Sequence, residues 1–159
     1  MPVKNGKVAD DRRILAALPS VRFILGKGAK IIAVSHIESE GEDTLRPVYE
    51  EIKNNFPVSF VEANLEEVKR AKKELQNGEM LLVENIRYFK GEKENYEEFA
   101  KEFSSLADIY VNEAFPVSHR NHASIVGFPR FLPGFLGFQF KKEIEELSHA
   151  FNPPHPFLF

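Results

Sequence analysis

The sequence predicts an α/β fold: a Rossmann-like three-layer αβα sandwich around a parallel sheet. Three observations carry that expectation. Short apolar runs alternate with longer segments whose apolar positions recur at helical spacing. Glycine, proline or a capping residue marks most of the boundaries between them. Polar clusters follow the C-terminal ends of the apolar runs, where open parallel sheets bind their ligands.

In chain order, Asp10-Asp11 can cap a helix over Arg12–Leu25, with Ile14, Leu18, Val21 and Leu25 on one face. Pro19 inside it should kink it. Gly26 and Gly28 should end it. Lys30–Val34 reads as a buried strand, Leu45–Asn54 as a helix, and Pro57–Val61 as the second strand. Glu66–Leu75 is helical and Asn77-Gly78 its stop. Met80–Val83 is the third strand, Glu97–Phe103 a helix, and Ala107–Val111 the fourth strand. A last helix is expected over Lys141–Ala150. Strands separated by helices imply right-handed βαβ crossovers. The charged run "KGEKENYEE" at 90–98 reads as a solvated loop and helix start.

At 159 residues, the chain fits one domain over 1–159, and 43% hydrophobic content suffices for a real core. There is no cysteine, so disulfides and thiolate metal sites are excluded, and a reducing, cytoplasmic location is the expectation. A net charge of -3 gives no bias toward nucleic acid. No apolar stretch is long enough to span a membrane, and the N-terminus has no apolar signal core.

Ser35-His36 follows the first strand, Glu84-Asn85-Ile86-Arg87 the third, and Asn112-Glu113 then His119-Arg120-Asn121-His122 the fourth. The last cluster admits a metal, acid/base, anion-binding or solvated-loop reading. His119 and His122 stand three apart, as in helical zinc sites, but the segment reads as loop and Arg120 would repel a cation. Arginine forks match phosphate and carboxylate. Arg87, Arg120 and His36 could therefore converge on a small phosphorylated acid, with Arg13 joining from the start of the first helix. Any one of these arginines alone is more often a surface ion pair; their joint placement is what raises the functional reading. The Ser35-His36 pair reads equally as one that satisfies backbone groups at a strand end. Neither G-x-x-x-x-G-K-[ST] nor G-x-G-x-x-G occurs, so the chain carries no nucleotide signature.

The segments "DDRRILAALPSVRFILGKGAKIIAVSH" (10–36), "LLVENIRYFKGEKEN" (81–95), "LADIYVNEAFPVSHRNHASIVGF" (106–128) and "FLPGFLGFQFKKEIEEL" (131–147) together resemble the N-terminal domain of the phosphoglycerate kinase family. The resemblance implies two Rossmann-like lobes, the N-terminal one binding 3-phosphoglycerate in a basic patch and the C-terminal one binding Mg-ADP or Mg-ATP. It implies glycolytic phosphoryl transfer between 1,3-bisphosphoglycerate and ADP, with hinge closure. Residue by residue, it implies that His36, Arg87 and Arg120 hold the substrate's non-reacting phosphate and carboxylate. Arg13 would stabilise charge on the moving phosphoryl group. His119 and His122 become supports for their loop.

Against that family's pattern the chain departs in several places. The opening strand ending in Asp-Phe-Asn-Val-Pro has no counterpart before "MPVKNGKV", which should leave unpaired strand edges and a gap in the core. The Ser-His-Leu-Gly-Arg loop reads "SHIESEGED", with Glu38 at the glycine and Ser39 at the arginine. Glu38, Glu40, Glu42 and Asp43 then crowd a place meant for an anion, and a carboxylate about 4 Å from a bound phosphate costs on the order of several kcal/mol in a partly dry site. Glu113 replaces the usual Asp, and Pro116 the usual Gly. No cofactor is expected on this chain itself, because the Mg-nucleotide would sit on the lobe absent here. The expectation is a truncated substrate lobe without turnover of its own, or else a non-catalytic domain that binds phosphorylated acids or a partner chain. Self-association through an open sheet edge or the apolar Phe157–Phe159 is a further expectation.

Overall fold

The structure, a computed structural model, describes residues 3–4, 7–8, 10–38 and 43–149. It is an α/β fold. β1 (Val3–Lys4) and β2 (Lys7–Val8) form a small antiparallel pair. There follow α1 (Arg12–Gly26), β3 (Ile31–Ala33), α2 (Arg46–Ile52), β4 (Val58–Val61), α3 (Leu65–Glu74), β5 (Met80–Val83), α4 (Glu97–Ser104), β6 (Tyr110–Asn112), β7 (Gly134–Leu136) and α5 (Phe138–Ser148). Among the described residues no helix is long and apolar enough to cross a membrane.

β5 is the centre of a parallel ladder of order β3-β5-β4, with Ile31 and Val58 both opposite Met80. All four of its residues are buried. Alternation sends them to different cores. Leu81 and Val83 join Val68, Phe99, Phe103 and Phe128 on one face. Met80 and Leu82 join Ile14, Leu45, Val48 and Ile52 on the other. This is why the strand reads as a continuous apolar run: helices cover both faces. The phenylalanine richness has a local use, since Phe103 and Phe128 stack at 5.1 Å between centroids and Phe89 and Phe99 pack around them.

Several boundaries differ from expectation for identifiable reasons. α1 contains Pro19, as its expected range does, and differs at its cap. Its N-terminus is served by Asp10, whose carboxylate accepts the Arg12 N–H at 3.1 Å, while Asp11 makes no side-chain cap. Gly28 ends the turn after it at φ +75°, a conformation that favours glycine. α3 is capped by Asn64, which accepts from the N–H groups of Glu66 and Glu67.

The expected fourth strand is displaced. The N–H groups of Leu106 and Ala107 still bond back to Phe103 and Ser104, so the chain is turning where extension was expected. The strand begins at Tyr110 and does not join the three-stranded ladder. It pairs in parallel with β7, Tyr110 opposite Gly134, to form a second ladder. A short exposed Gly-Phe-Leu between Pro133 and Gly137 has no strand signature of its own.

α5 starts at Phe138, three residues before the expected Lys141. Its first amides are taken by remote groups: Ser20 Oγ accepts the Phe138 N–H at 2.9 Å, and Glu113 accepts the Phe140 N–H at 3.1 Å. A Cβ at Gly137 would fall 2.1 Å from the Glu113 carboxyl carbon, so a side chain there would push the Glu113 cap aside. Ala150, the expected helix end, and Phe157–Phe159 lie outside the described residues.

Candidate functional site

The C-terminal end of β5 is organised by two buried polar residues. Glu84 receives the amides of Leu45 (2.6 Å) and Asn85 (2.7 Å) and the Thr44 hydroxyl. Asn85 donates to the carbonyls of Ile37 (2.8 Å) and Asp43 (2.6 Å) and accepts the Arg87 N–H at 3.1 Å. Both ends of the loop that follows β3 are thereby tied to the end of β5, which sets where His36 and Glu38 stand.

Arg87 sits in the short 3₁₀ turn that follows, with only 5% of its side chain exposed. Its Nη1 donates to Glu92 at 3.1 Å and lies against His122 Nδ1. Its Nε has no hydrogen-bond partner and lies 3.6 Å from Glu38. Arg120, a third exposed, reaches the same Glu38 at 3.3 Å, and Lys93 stands 3.8 Å from it. Three cations from three segments thus face one carboxylate.

Electrostatics follow from that crowding. Burial and the charges of Arg87 and Arg120 bring His36 down to about 4, so its ring is neutral at physiological pH. His122 is lowered by the same causes, burial first. Glu38 is held below the usual carboxylate range: desolvation opposes this, but the Arg120 hydrogen bond and the charges of Arg120 and Arg87 prevail. Burial pulls Arg87 down and pushes its partner Glu92 up, so desolvation works against both charges of that pair.

Of the four residues proposed from the sequence, Arg87, Arg120 and His36 lie in one electrostatic cluster. Arg13, exposed in the first turn of α1, makes no ion pair to it among the described residues. It shares with His36 the wall of an adjacent groove. Of the acidic residues expected to crowd the site, Glu38 points in and Asp43 turns to the Tyr88 hydroxyl at 2.6 Å, raising that phenol to about 12. Ser39, Glu40 and Glu42 lie outside the described residues. Pro116 is exposed in a 3₁₀ turn.

The charged run 90–98 is not wholly solvated, which corrects the expectation. Glu92 has no exposure at all and accepts from the Ser124 amide (2.9 Å), the Ser124 hydroxyl (2.6 Å) and Arg87. Its usable signal was Gly91. At φ +95°, with a Cβ that would meet Tyr96 and Phe99 at 3.0–3.2 Å, Gly91 marks a tight turn packed on the core.

Comparison with known proteins decides the family. The family model described as "Phosphoglycerate kinase" matches residues 1–159. The chain belongs to the phosphoglycerate kinase family. Among its relatives, the phosphoglycerate kinase of Dictyoglomus turgidum is 43% identical over 166 residues, covering 99% of this chain and 42% of that protein. That of Wolbachia pipientis is 38% identical, covering 96% and 40%. The solved phosphoglycerate kinase of Coxiella burnetii aligns with a TM-score of 0.80 at 31% identity, covering 98% of this chain and 41% of that one. The Pyrococcus horikoshii kinase aligns at 0.81 and 32%, covering 96% and 41%. The chain therefore spans about two fifths of the length of these relatives and corresponds to the N-terminal region of the family's proteins.

Proposed function

We propose that this chain is the substrate half of a phosphoglycerate kinase, binding 3-phosphoglycerate or a similar small phosphorylated acid. The observation that supports it is the convergence of Arg87, Arg120 and Lys93 on a single carboxylate, with a neutral His36 beside them, at the strand ends. A phosphate or carboxylate of the ligand would take the position that Glu38 holds, gaining two guanidinium forks. Anion binding would also favour protonation of His36, which the cations around it now oppose.

In the family's reaction a phosphoryl group passes between 1,3-bisphosphoglycerate and ADP. On this chain, Arg13 is assigned to charge on the moving group, and Arg87, Arg120 and His36 to holding the part that does not react. Magnesium nucleotide would supply or accept the phosphoryl group at a site not formed by these 159 residues. Among the described residues no group of three His, Asp or Glu is placed to hold a metal ion. No turnover is assigned to the 159 residues alone. A coupled assay that detects ATP formed from 1,3-bisphosphoglycerate by this chain would contradict that assignment.

A second reading, a binding domain without catalysis, is favoured by Glu38 itself. A resident carboxylate competes with any anion that enters. Calorimetric titration with 3-phosphoglycerate separates the readings. Saturable binding that Arg120→Ala abolishes supports the substrate site. No heat at about 1 mM ligand, in wild type and in Glu38→Gly alike, removes it.

A further inference from the structure

Glu38 is surrounded by cations and bonded closely to none of them. Its Oε1 lies 3.6 Å from Arg87 Nε and 3.8 Å from Lys93 Nζ, and its Oε2 lies 3.3 Å from Arg120 Nη1. A charge-assisted N–H···O bond closes to about 2.7–2.9 Å. The carboxylate is therefore shared rather than docked. Its backbone is held more firmly than its side chain, because the carbonyl of the buried Ile37 accepts from Asn85 at 2.8 Å. An anion entering against Arg87 and Arg120 turns the Glu38 side chain rather than this end of the loop. The displaced charge then stays close to the bound anion unless a cation takes it up.

The three cations differ in their freedom to do so. Arg87 is buried and held from behind by Glu92 at 3.1 Å. Arg120 is the second fork offered to the ligand. Lys93 is 55% exposed, the outermost of the three. Its main chain is anchored on both sides. Before it, the carbonyl of the buried Glu92 accepts the Ala123 N–H at 2.8 Å. After it, the Asn95 side chain donates to Asn121 at 3.1 Å. A long, flexible stem thus carries an ammonium from a fixed point at the rim of the cluster. At 3.8 Å that ammonium attracts Glu38 without bonding it. Guanidinium forks match the ligand's paired oxygens, whereas an ammonium accepts a carboxylate from any direction.

Resting on the substrate-site reading above, we propose that Lys93 is a positioning residue: it takes Glu38 over from Arg87 and Arg120 as the phosphorylated acid enters, and keeps the displaced carboxylate off the bound anion. It acts through Glu38 and makes no contact with the ligand.

The test is a double-mutant cycle on the 159-residue chain, titrated calorimetrically with 3-phosphoglycerate at physiological ionic strength. There the long-range pull of one exposed lysine on the ligand is screened. Lys93→Met should weaken binding roughly fivefold, the upper end for an exposed pair. Lys93→Arg, which keeps a cation on a long stem, should restore most of that loss. In the Glu38→Gly background there is no carboxylate to receive, so Lys93→Met should change affinity by less than about twofold. The urea midpoint should stay at the wild-type value in Lys93→Met, which separates positioning from folding. A loss that persists in the Glu38→Gly background would make Lys93 a direct ligand contact and overturn the proposal. So would wild-type affinity in Lys93→Met. Either result, with saturable binding retained, removes this role and leaves the substrate site standing. No heat at about 1 mM ligand in wild type and Glu38→Gly alike would remove both.

Discussion

Two carboxylates share Arg87, and they could hardly be held more differently. Glu92 has no exposure and receives a guanidinium, a hydroxyl and an amide at 2.6–3.1 Å. Glu38 is 43% exposed and meets its cations only at 3.3–3.8 Å. One is built into the fold and fixes where the arginine stands. The other rests against the open side of the same cation, where the proposed anion would have to displace it. The basic cluster is therefore held from behind and occupied from in front. Changes to each carboxylate should have opposite signatures: lost stability for Glu92, altered affinity for Glu38.

The largest expected effect is on Glu92. Glu92→Ala removes one partner of a buried pair and leaves Arg87, with 5% exposure, and the Ser124 donors uncompensated. Breaking buried pairs from one side costs about 3–5 kcal/mol. Urea unfolding should show a loss in that range, and anion binding should weaken with it because Arg87 is no longer positioned. Glu92→Gln, which keeps an acceptor for Ser124, should lose clearly less. Desolvation opposes both charges of the pair, so Arg87→Met in the Glu92→Gln background should recover part of the loss. If Glu92→Ala unfolds at the wild-type denaturant concentration, the contrast between the two carboxylates fails.

A smaller effect comes from His36. Its folded value, about 4, is depressed from the ordinary 6.5 by burial and by the charges of Arg87 and Arg120. The unfolded chain takes up the proton first as pH falls. Stability is therefore complete above about pH 6.5 and is lost progressively toward pH 4. With solvent screening of a partly exposed ring, the loss should be roughly 2 kcal/mol. His36→Phe should flatten the profile in that window. Bound phosphoglycerate should raise the titration midpoint of His36 in NMR. A midpoint that stays put at saturating ligand would place the anion elsewhere.

How much of this was legible beforehand follows from range in sequence. β5 and its flanking helices were legible because burial on both faces writes a continuous apolar run into four consecutive residues. Arg87, Arg120 and His36 could be brought together because the rule of strand C-termini converts chain order into spatial proximity. Three things were not. The start of α5 depends on Ser20 and Glu113, more than twenty residues away, supplying the caps. The pairing of β6 with β7 depends on a three-residue exposed strand without apolar alternation. The burial of Glu92 is hidden inside a charged run, where composition argues for solvent. Each is a long-range contact that overrides a local pattern.

The smallest effect on stability and the most informative on function belongs to Glu38→Gly. Its carboxylate is close to the surface, and its contacts are long. Pairs of that kind contribute about 0–1 kcal/mol, so the denaturation midpoint should barely move. Affinity should respond far more. Removing a resident anion from three cations frees Arg120 and the Arg87 Nε, which has no hydrogen-bond partner while Glu38 is present. The entering phosphate or carboxylate no longer meets a like charge. Phosphoglycerate binding should tighten by roughly tenfold, about 1.4 kcal/mol, and more at low salt than at high salt. Glu38→Gln separates charge from bulk: if occupancy by charge is the obstacle, Gln should recover most of the gain that Gly shows. If both variants bind as wild type does, Glu38 is not in the anion's place, and the cluster it neutralises is a structural ion network rather than a substrate site.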